Sequence, residues 1–187
     1  PIAASPHAKW GDAAIGLRAI ASGGNATALG RSATATAANA IAIGGGNGDS
    51  ATDNTEKTEA TGEKSTAIGY NAKAKTANDL AVGRGATSSG GSSTALGYDA
   101  TSSGEGSVAI GAGTDALGAM PAKQVKATAK NAIAIGRATQ ATSQDATAIG
   151  TDATASNTDA IAIGRKSNAS GSTSIGFGYN TQSTATN

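Results

Sequence analysis

The side chains able to do chemistry are few and poorly placed for catalysis. His7 is the only histidine and there is no cysteine, so neither a histidine-based triad nor a zinc cluster can be assembled. Thiol chemistry and disulfide stapling are excluded on the same count. What remains is charge. Segment 45–63, GGNGDSATDNTEKTEATGE, carries Asp49, Asp53, Glu56, Glu59 and Glu63 against Lys57. Segment 112–130, AGTDALGAMPAKQVKATAK, carries Lys123, Lys126 and Lys130 against Asp115. The stretch GGNGDS (45–50) has the glycine richness of a calcium-binding nonapeptide turn. It occurs once, and Asp49 follows Gly48 directly, so the spacing fails and a Gly-rich loop is the reading. No metal and no cofactor are expected; Asp53, Glu56, Glu59, Lys123 and Lys126 are the candidate ligand contacts.

Charge over the whole chain is nearly balanced, 14 basic against 13 acidic residues, so no global field calls for nucleic acid. No run approaches the roughly 18 apolar residues of a membrane span, so direct membrane insertion is not expected. Pro1–Trp10 lacks the shape of a signal peptide. Aromatic residues are scarce and glycine is abundant, at 27 residues, so any core must be thin and built from Ile, Val, Leu and Ala.

The elements that must position these charges come from an internal repeat. Glycines that follow an apolar residue fall at 16, 30, 44, 69, 83, 97, 111, 136, 150, 164 and 176. They step by 14 residues, with two steps of 25 and a last step of 12. Before each stands an aliphatic residue, among them Ile43, Ile68, Ile110, Ile135, Ile163 and Ile175, and before that an Ala such as Ala42 or Ala134 (Ser174 in the last copy). Two places before the aliphatic residue, Thr (Thr66, Thr173) alternates with Ile, Leu or Val (Ile41, Leu80). Short alternating segments rich in β-branched residues read as strands. A second segment with small residues at alternate places (Ala33 and Ala35, Ala72 and Ala74) supplies another, and Asn, Ser, Gly and Asp close each unit as turns. The fold expected is all-β: a parallel β-solenoid of about eleven 14-residue coils with two 11-residue insertions.

One coil cannot stand alone, because ordering its backbone costs about 1–2 kcal/mol per residue and it buries only one or two large aliphatic side chains, each worth about 1.5–3 kcal/mol. A stack can stand. The first strand of each coil is apolar on both faces, so one face lines the coil and the other needs a cover. With no amphipathic helix in the chain, another subunit is the economical cover. Spacing alone leaves open whether the Ile or the Ala column faces that subunit.

One further column is not random. Just after the repeat glycine stand Arg31, Arg84, Arg137 and Arg165, four of the five arginines, together with Tyr70, Tyr98 and Phe177. Long side chains at a coil corner can reach over a seam onto a neighbour, apolar stem down and charged tip out, or they can form a row of ligand contacts. Subunit packing is the preferred assignment for the arginines. Trp10 is expected to plug the open end of the solenoid, within a cap segment at 1–10 that precedes a head at 11–187.

The units NAIAIGG, GSVAIGAG and DAIAIGRKSNAS resemble the head repeats of YadA-like trimeric autotransporter adhesins over roughly residues 11–180. The resemblance implies a left-handed parallel β-roll, three chains in a parallel homotrimer, and a head displayed on the bacterial cell surface above an outer-membrane anchor. It implies attachment to host cells or extracellular matrix through multivalent protein or glycan contacts, and no enzymatic activity. The two insertions, 45–63 and 112–130, depart from plain head repeats. In a trimer they would form one acidic and one basic collar. A different reading is an ice-binding or purely structural spacer solenoid; Thr34-Ala35-Thr36 fits the ice-binding pattern, yet the motif does not recur in register along one face. Left-handed β-helix acyltransferases also repeat an aliphatic–Gly theme, but every six residues and with a catalytic His, and neither feature fits.

Overall fold

The computed structural model describes residues 11–46, 56–113 and 123–184. The cap segment with His7 and Trp10 lies outside these residues, as do Asp49, Asp53 and Asp115 of the insertions. The described chain holds twenty-two short strands and no helix. They form two parallel sheets of eleven strands each, with alternate strands of the sequence going to alternate sheets. Three-residue strands, such as Ala13–Ile15, Thr27–Leu29 and Ile41–Ile43, build the first sheet. Two-residue strands, such as Ile20–Ala21 and Thr34–Ala35, build the second. Register sets like over like: Ala28 beside Ala42, Leu29 beside Ile43. Across the longer connections it is kept, with Ile43 beside Ile68 and Ile110 beside Ile135. At about 4.8 Å per coil the stack is a rod on the order of 50 Å long.

Two conformational devices turn each coil. The repeat glycines adopt positive φ, 119° at Gly30 and 133° at Gly83, where a Cβ is penalised. Stacking adds a stronger constraint: a Cβ on Gly30 would lie 1.8 Å from the Gly44 carbonyl oxygen, and one on Gly83 would lie 2.4 Å from that of Gly97. The glycine column is therefore demanded by the next coil as much as by the turn. The second device is a left-handed residue in each turn, usually Asn, Asp or Ser, as at Ser32, Asn39, Asn71, Asn78, Asp145 and Asp159, the types that tolerate that conformation.

The structure decides which face is inside. Ala28, Ala42, Ala67, Ala81, Ala95, Ala109, Ala134, Ala148 and Ala162 point into the coil and are buried, while their aliphatic neighbours point out. Ala42 is 0% exposed and the adjoining Ile41 37%. The second sheet contributes Ala21, Ala35, Ala60, Ala74, Ala127, Ala141, Ala155 and Ala169 to the same interior. The expectation that each coil buries one or two large aliphatic side chains is therefore wrong for the single chain. Among the described residues only Val125 is a fully buried large aliphatic. Two sheets joined by tight turns leave room between them for methyl groups only, so Ile43, Ile68, Ile110, Ile135 and Ile163 stand on the outer face.

The last coil also corrects the sequence reading. Ile161 pairs with Ile175, Ala162 with Gly176 and Ile163 with Phe177. Gly176 thus takes the interior Ala position, and the corner glycine is Gly178, with φ of 121°, fourteen places after Gly164. Phe177 belongs to the outer aliphatic column and Tyr179 to the corner column. Thr173 sits in the preceding turn, in the left-handed region with φ of 55°. The step of 12 arose because an interior Gly replaced Ala and mimicked the anchor.

Part of the interior is polar. Asp79 is buried and its carboxylate is fully engaged. Oδ1 accepts from the backbone N–H groups of Gly91 and Ser93 and from Ser93 Oγ, and Oδ2 from the N–H and hydroxyl of Thr76. Ser88 and Ser93 share a hydrogen bond of 2.6 Å, as do Ser102 and Ser107. Buried polar groups are tolerated when they are paired in this way, and the network lies in the coils between the two insertions.

A candidate ligand-binding corner

Both longer connections join a strand of the first sheet to one of the second, at the corner where the repeat glycine turns the chain. One follows the strand Ile41–Ile43 and the other follows Val108–Ile110. Between them on that corner, one per coil, stand Tyr70, Arg84 and Tyr98. The Arg84 guanidinium carbon lies 5.8 Å from the Tyr70 ring centroid and 5.4 Å from that of Tyr98. A cation placed over aromatic faces is attracted by the ring quadrupole, by about 0.5–1 kcal/mol at exposed sites. Arg165 makes the same contact with Tyr179 at 4.5 Å. Arg84 and Arg165 therefore find partners within their own chain; Arg31 is half-buried and Arg137 exposed at the same corner.

Beside the ladder runs a groove of about 180 Å³ lined by Glu56, Tyr70, Asn71, Arg84, Gly85, Tyr98 and Asp99. Its shape follows from one column of left-handed residues, Asn71, Gly85 and Asp99. Gly85, with no side chain, leaves a notch between the other two, and the Asp99 carboxylate leans over it. A Cβ on Gly85 would lie 2.0 Å from Asp99 Oδ1. Tyr70 donates a hydrogen bond from its hydroxyl to the Glu56 carboxylate, which ties the acidic segment to the ladder. Asn71 Oδ1 is buried without a hydrogen-bond partner.

The charged candidates read from the insertions do not converge. Glu56 is at the groove, whereas Glu59 lies in the strand Glu59–Ala60, beside Lys73 in register, and pairs with Lys57 at 3.0 Å. Glu63 is in the opposite turn, next to Lys64 at 3.1 Å. Lys123 lies 4.0 Å from Asp152, Lys126 sits in the strand Lys126–Ala127, and Lys130 pairs with Glu105 at 3.2 Å. Exposed pairs of this kind contribute about 0–1 kcal/mol each. Asp53 is outside the described residues.

Across the chain from this corner, Asp145 is held below the usual aspartate range, first by a hydrogen bond from Asn131, then by one from Gln144, with Lys130 adding a favourable charge. Asn131 and Asp145 stand one above the other in successive coils, so the contact reports stacking rather than a site. The groove is not evident in the sequence because its members fall in two adjacent columns, the corner column and the one after it. The signal available was Tyr70–Arg84–Tyr98 at intervals of one repeat, with Gly85 interrupting Asn71 and Asp99 one place later.

The family model for the YadA head domain repeat, written as two copies of the repeat, matches residues 21–47, 60–86, 88–114, 127–153 and 141–167, more than half of the chain. No curated protein matches the chain.

Proposed function

Because the chain belongs to the YadA head family, we propose that it is the adhesive head of a bacterial trimeric autotransporter. In this reading three chains wind as left-handed rolls around a common axis, with the outer column of Ile43, Ile68, Ile110, Ile135 and Ile163 turned toward it. The head stands on the cell surface, in a protein anchored at the outer membrane, and attaches the bacterium to host-cell or matrix molecules. The observation that carries the reading is the pairing of a sealed alanine interior with an outward aliphatic stripe. Leu29, Ile68, Leu80 and Leu96 are each more than a third exposed in the single chain. A soluble chain with a contiguous apolar stripe along its rod covers it by association. Three identical chains also present each weak contact three times, which raises avidity without any new contact.

Solution mass tests the assembly. A trimer of about 53 kDa, three times 17.7 kDa, is expected, and a stable monomer would sink the reading. Attachment of beads coated with the protein to host cells and to matrix-coated surfaces tests the adhesive role; no attachment to either would leave the fold without the proposed task.

One observation favours a second reading. On the second sheet Thr87 stands beside Thr101 in register, whereas Thr34 is buried between Ile20 and Glu59 and Thr154 stands between Gln140 and Asn168, so the hydroxyl rank is contiguous over two coils only. Glu59, Lys73, Lys75 and Lys126 interrupt it, and an ice-binding surface needs unbroken ranks. Thermal hysteresis would decide in its favour.

A further inference from the structure

We propose that the groove beside Tyr70, Arg84 and Tyr98 binds a neutral saccharide, one sugar ring per chain. The inference rests on the adhesive reading and names the ligand class and the place. Three properties of the groove select the class. Its volume, about 180 Å³, is about six times a water molecule's share of the liquid. That admits a single pyranose ring and is smaller than the roughly 300–1,000 Å³ of pockets for larger ligands.

Its lining mixes donors and acceptors. Arg84 offers guanidinium N–H groups, and Asp99 makes no ion pair among the described residues. Asn71 Oδ1 is a buried acceptor that still lacks a donor. Sugar hydroxyls donate and accept at once, so they satisfy such a set where a purely anionic or purely cationic group cannot.

Charge then separates the alternatives. The Asp99 carboxylate stands in the lining beside the single guanidinium of Arg84, which disfavours sialylated or sulfated sugars. A cationic ligand is disfavoured too, because Arg84 already occupies the ring faces where a cation would settle. The Tyr rings give the C–H face of a sugar an apolar edge to rest on. Gly85 makes room for the Asp99 carboxylate, whose Oδ1 takes the space a Cβ would fill and so stands at the groove wall. A site this small binds one ring weakly, and threefold display would convert it to useful avidity.

The test uses the intact protein on a printed panel of neutral and acidic glycans, followed by titration calorimetry with each neutral saccharide that binds. Arg84→Ala and Asp99→Asn are the site variants; Asn keeps the left-handed backbone and the shape of Asp99. Asp152→Asn, in the same column outside the groove, is the control. The expected result is binding confined to neutral glycans. Each site variant should weaken it at least tenfold at unchanged mass, with Arg84→Ala lowering the melting temperature only by the loss of its two ring contacts and the control unaffected. Binding of acidic glycans only, of no glycan, or binding that survives both site variants would overturn the proposal. Loss of assembly in Arg84→Ala would overturn it as well, by making the groove a seat for a neighbouring subunit. Host-cell attachment that persists without glycan binding sinks the groove and leaves the adhesin; loss of attachment altogether sinks both.

Discussion

Ala67 and Ile68 are neighbours on opposite faces of one strand, and they should fail in different ways. Ala67 is 0% exposed and Ile68 36%. Ala67→Val adds two methyl groups to an interior that has room for none, and overpacking of this kind costs about 1–3 kcal/mol per chain. The cost is paid in the coil itself, so the melting temperature should fall by a similar amount at every protein concentration. Ile68→Ala acts elsewhere. Full burial of Ile is worth about 1.5–3 kcal/mol, and about a third of that, roughly 0.5–1 kcal/mol, remains to be gained on assembly. Over three copies this is about 1.5–3 kcal/mol, or about 10- to 100-fold in the assembly constant at 1.4 kcal/mol per decade. Sedimentation velocity over a dilution series reads the second effect, and thermal melts at several concentrations read the first. If Ala67→Val shifted the assembly constant while Ile68→Ala lowered the melt independently of concentration, the inside and outside of the coil would have been assigned the wrong way round.

Three further outcomes follow from single residues. Thr173 is β-branched and holds a left-handed turn position for which Asn is better suited; Thr173→Asn should stabilise each chain by about 0.5–1 kcal/mol, measured by urea denaturation. Asp79→Ala strands the buried N–H of Ser93 and leaves the part-buried N–H groups of Thr76 and Gly91 to water, and at about 1–3 kcal/mol per buried orphan it should cost about 1–3 kcal/mol, with Asp79→Asn milder because one acceptor oxygen survives. Asp145, an exposed carboxylate, should titrate below ordinary aspartates in an NMR pH series and return toward them in Asn131→Ala. Its folded-state pKa is depressed, so its contribution is present above the unfolded value and is lost as pH falls through the folded one.

How much of this was legible in the sequence depended on what each column had to satisfy. Strand positions, parallel stacking and the common corner of the insertions follow from the fourteen-residue period, because a ladder forces like residues into register. Which face of each strand turns inward did not follow. Alternation at Ile41, Ala42 and Ile43 says only that the two kinds of residue face opposite ways, and the habit of placing large aliphatics in the core pointed toward the wrong one. What decides it is the width of the coil, set by turns too tight to admit more than methyl groups between the sheets. The last unit misled for a related reason. Gly176 stands where Ala belongs, and a pattern keyed on glycine cannot separate a corner that needs positive φ from an interior position that needs small volume.

Eleven copies in one chain are their own control for what the fold requires. The interior column of the first sheet accepts Ala and, once, Gly, because no free volume exists there. The corner column accepts Leu17, Arg31, Gly45, Tyr70, Arg84, Tyr98, Ala112, Arg137, Thr151, Arg165 and Tyr179, because the fold asks nothing of it beyond the glycine before. Tyr70, Arg84 and Tyr98 thus occupy positions that Thr and Ala fill equally well elsewhere in the same rod. Replacing all three with Thr should remove two cation–π contacts, about 0.5–1 kcal/mol each, and the hydrogen bond from Tyr70 to Glu56, a further 0.5–1.5 kcal/mol. The expected total is about 1.5–3.5 kcal/mol per chain by urea denaturation, with mass unchanged. A loss above 5 kcal/mol, or a change in mass, would mean the ladder is part of the scaffold; a loss within the expected range would leave these side chains with no structural reason to be aromatic and basic, and a ligand as the reason that remains.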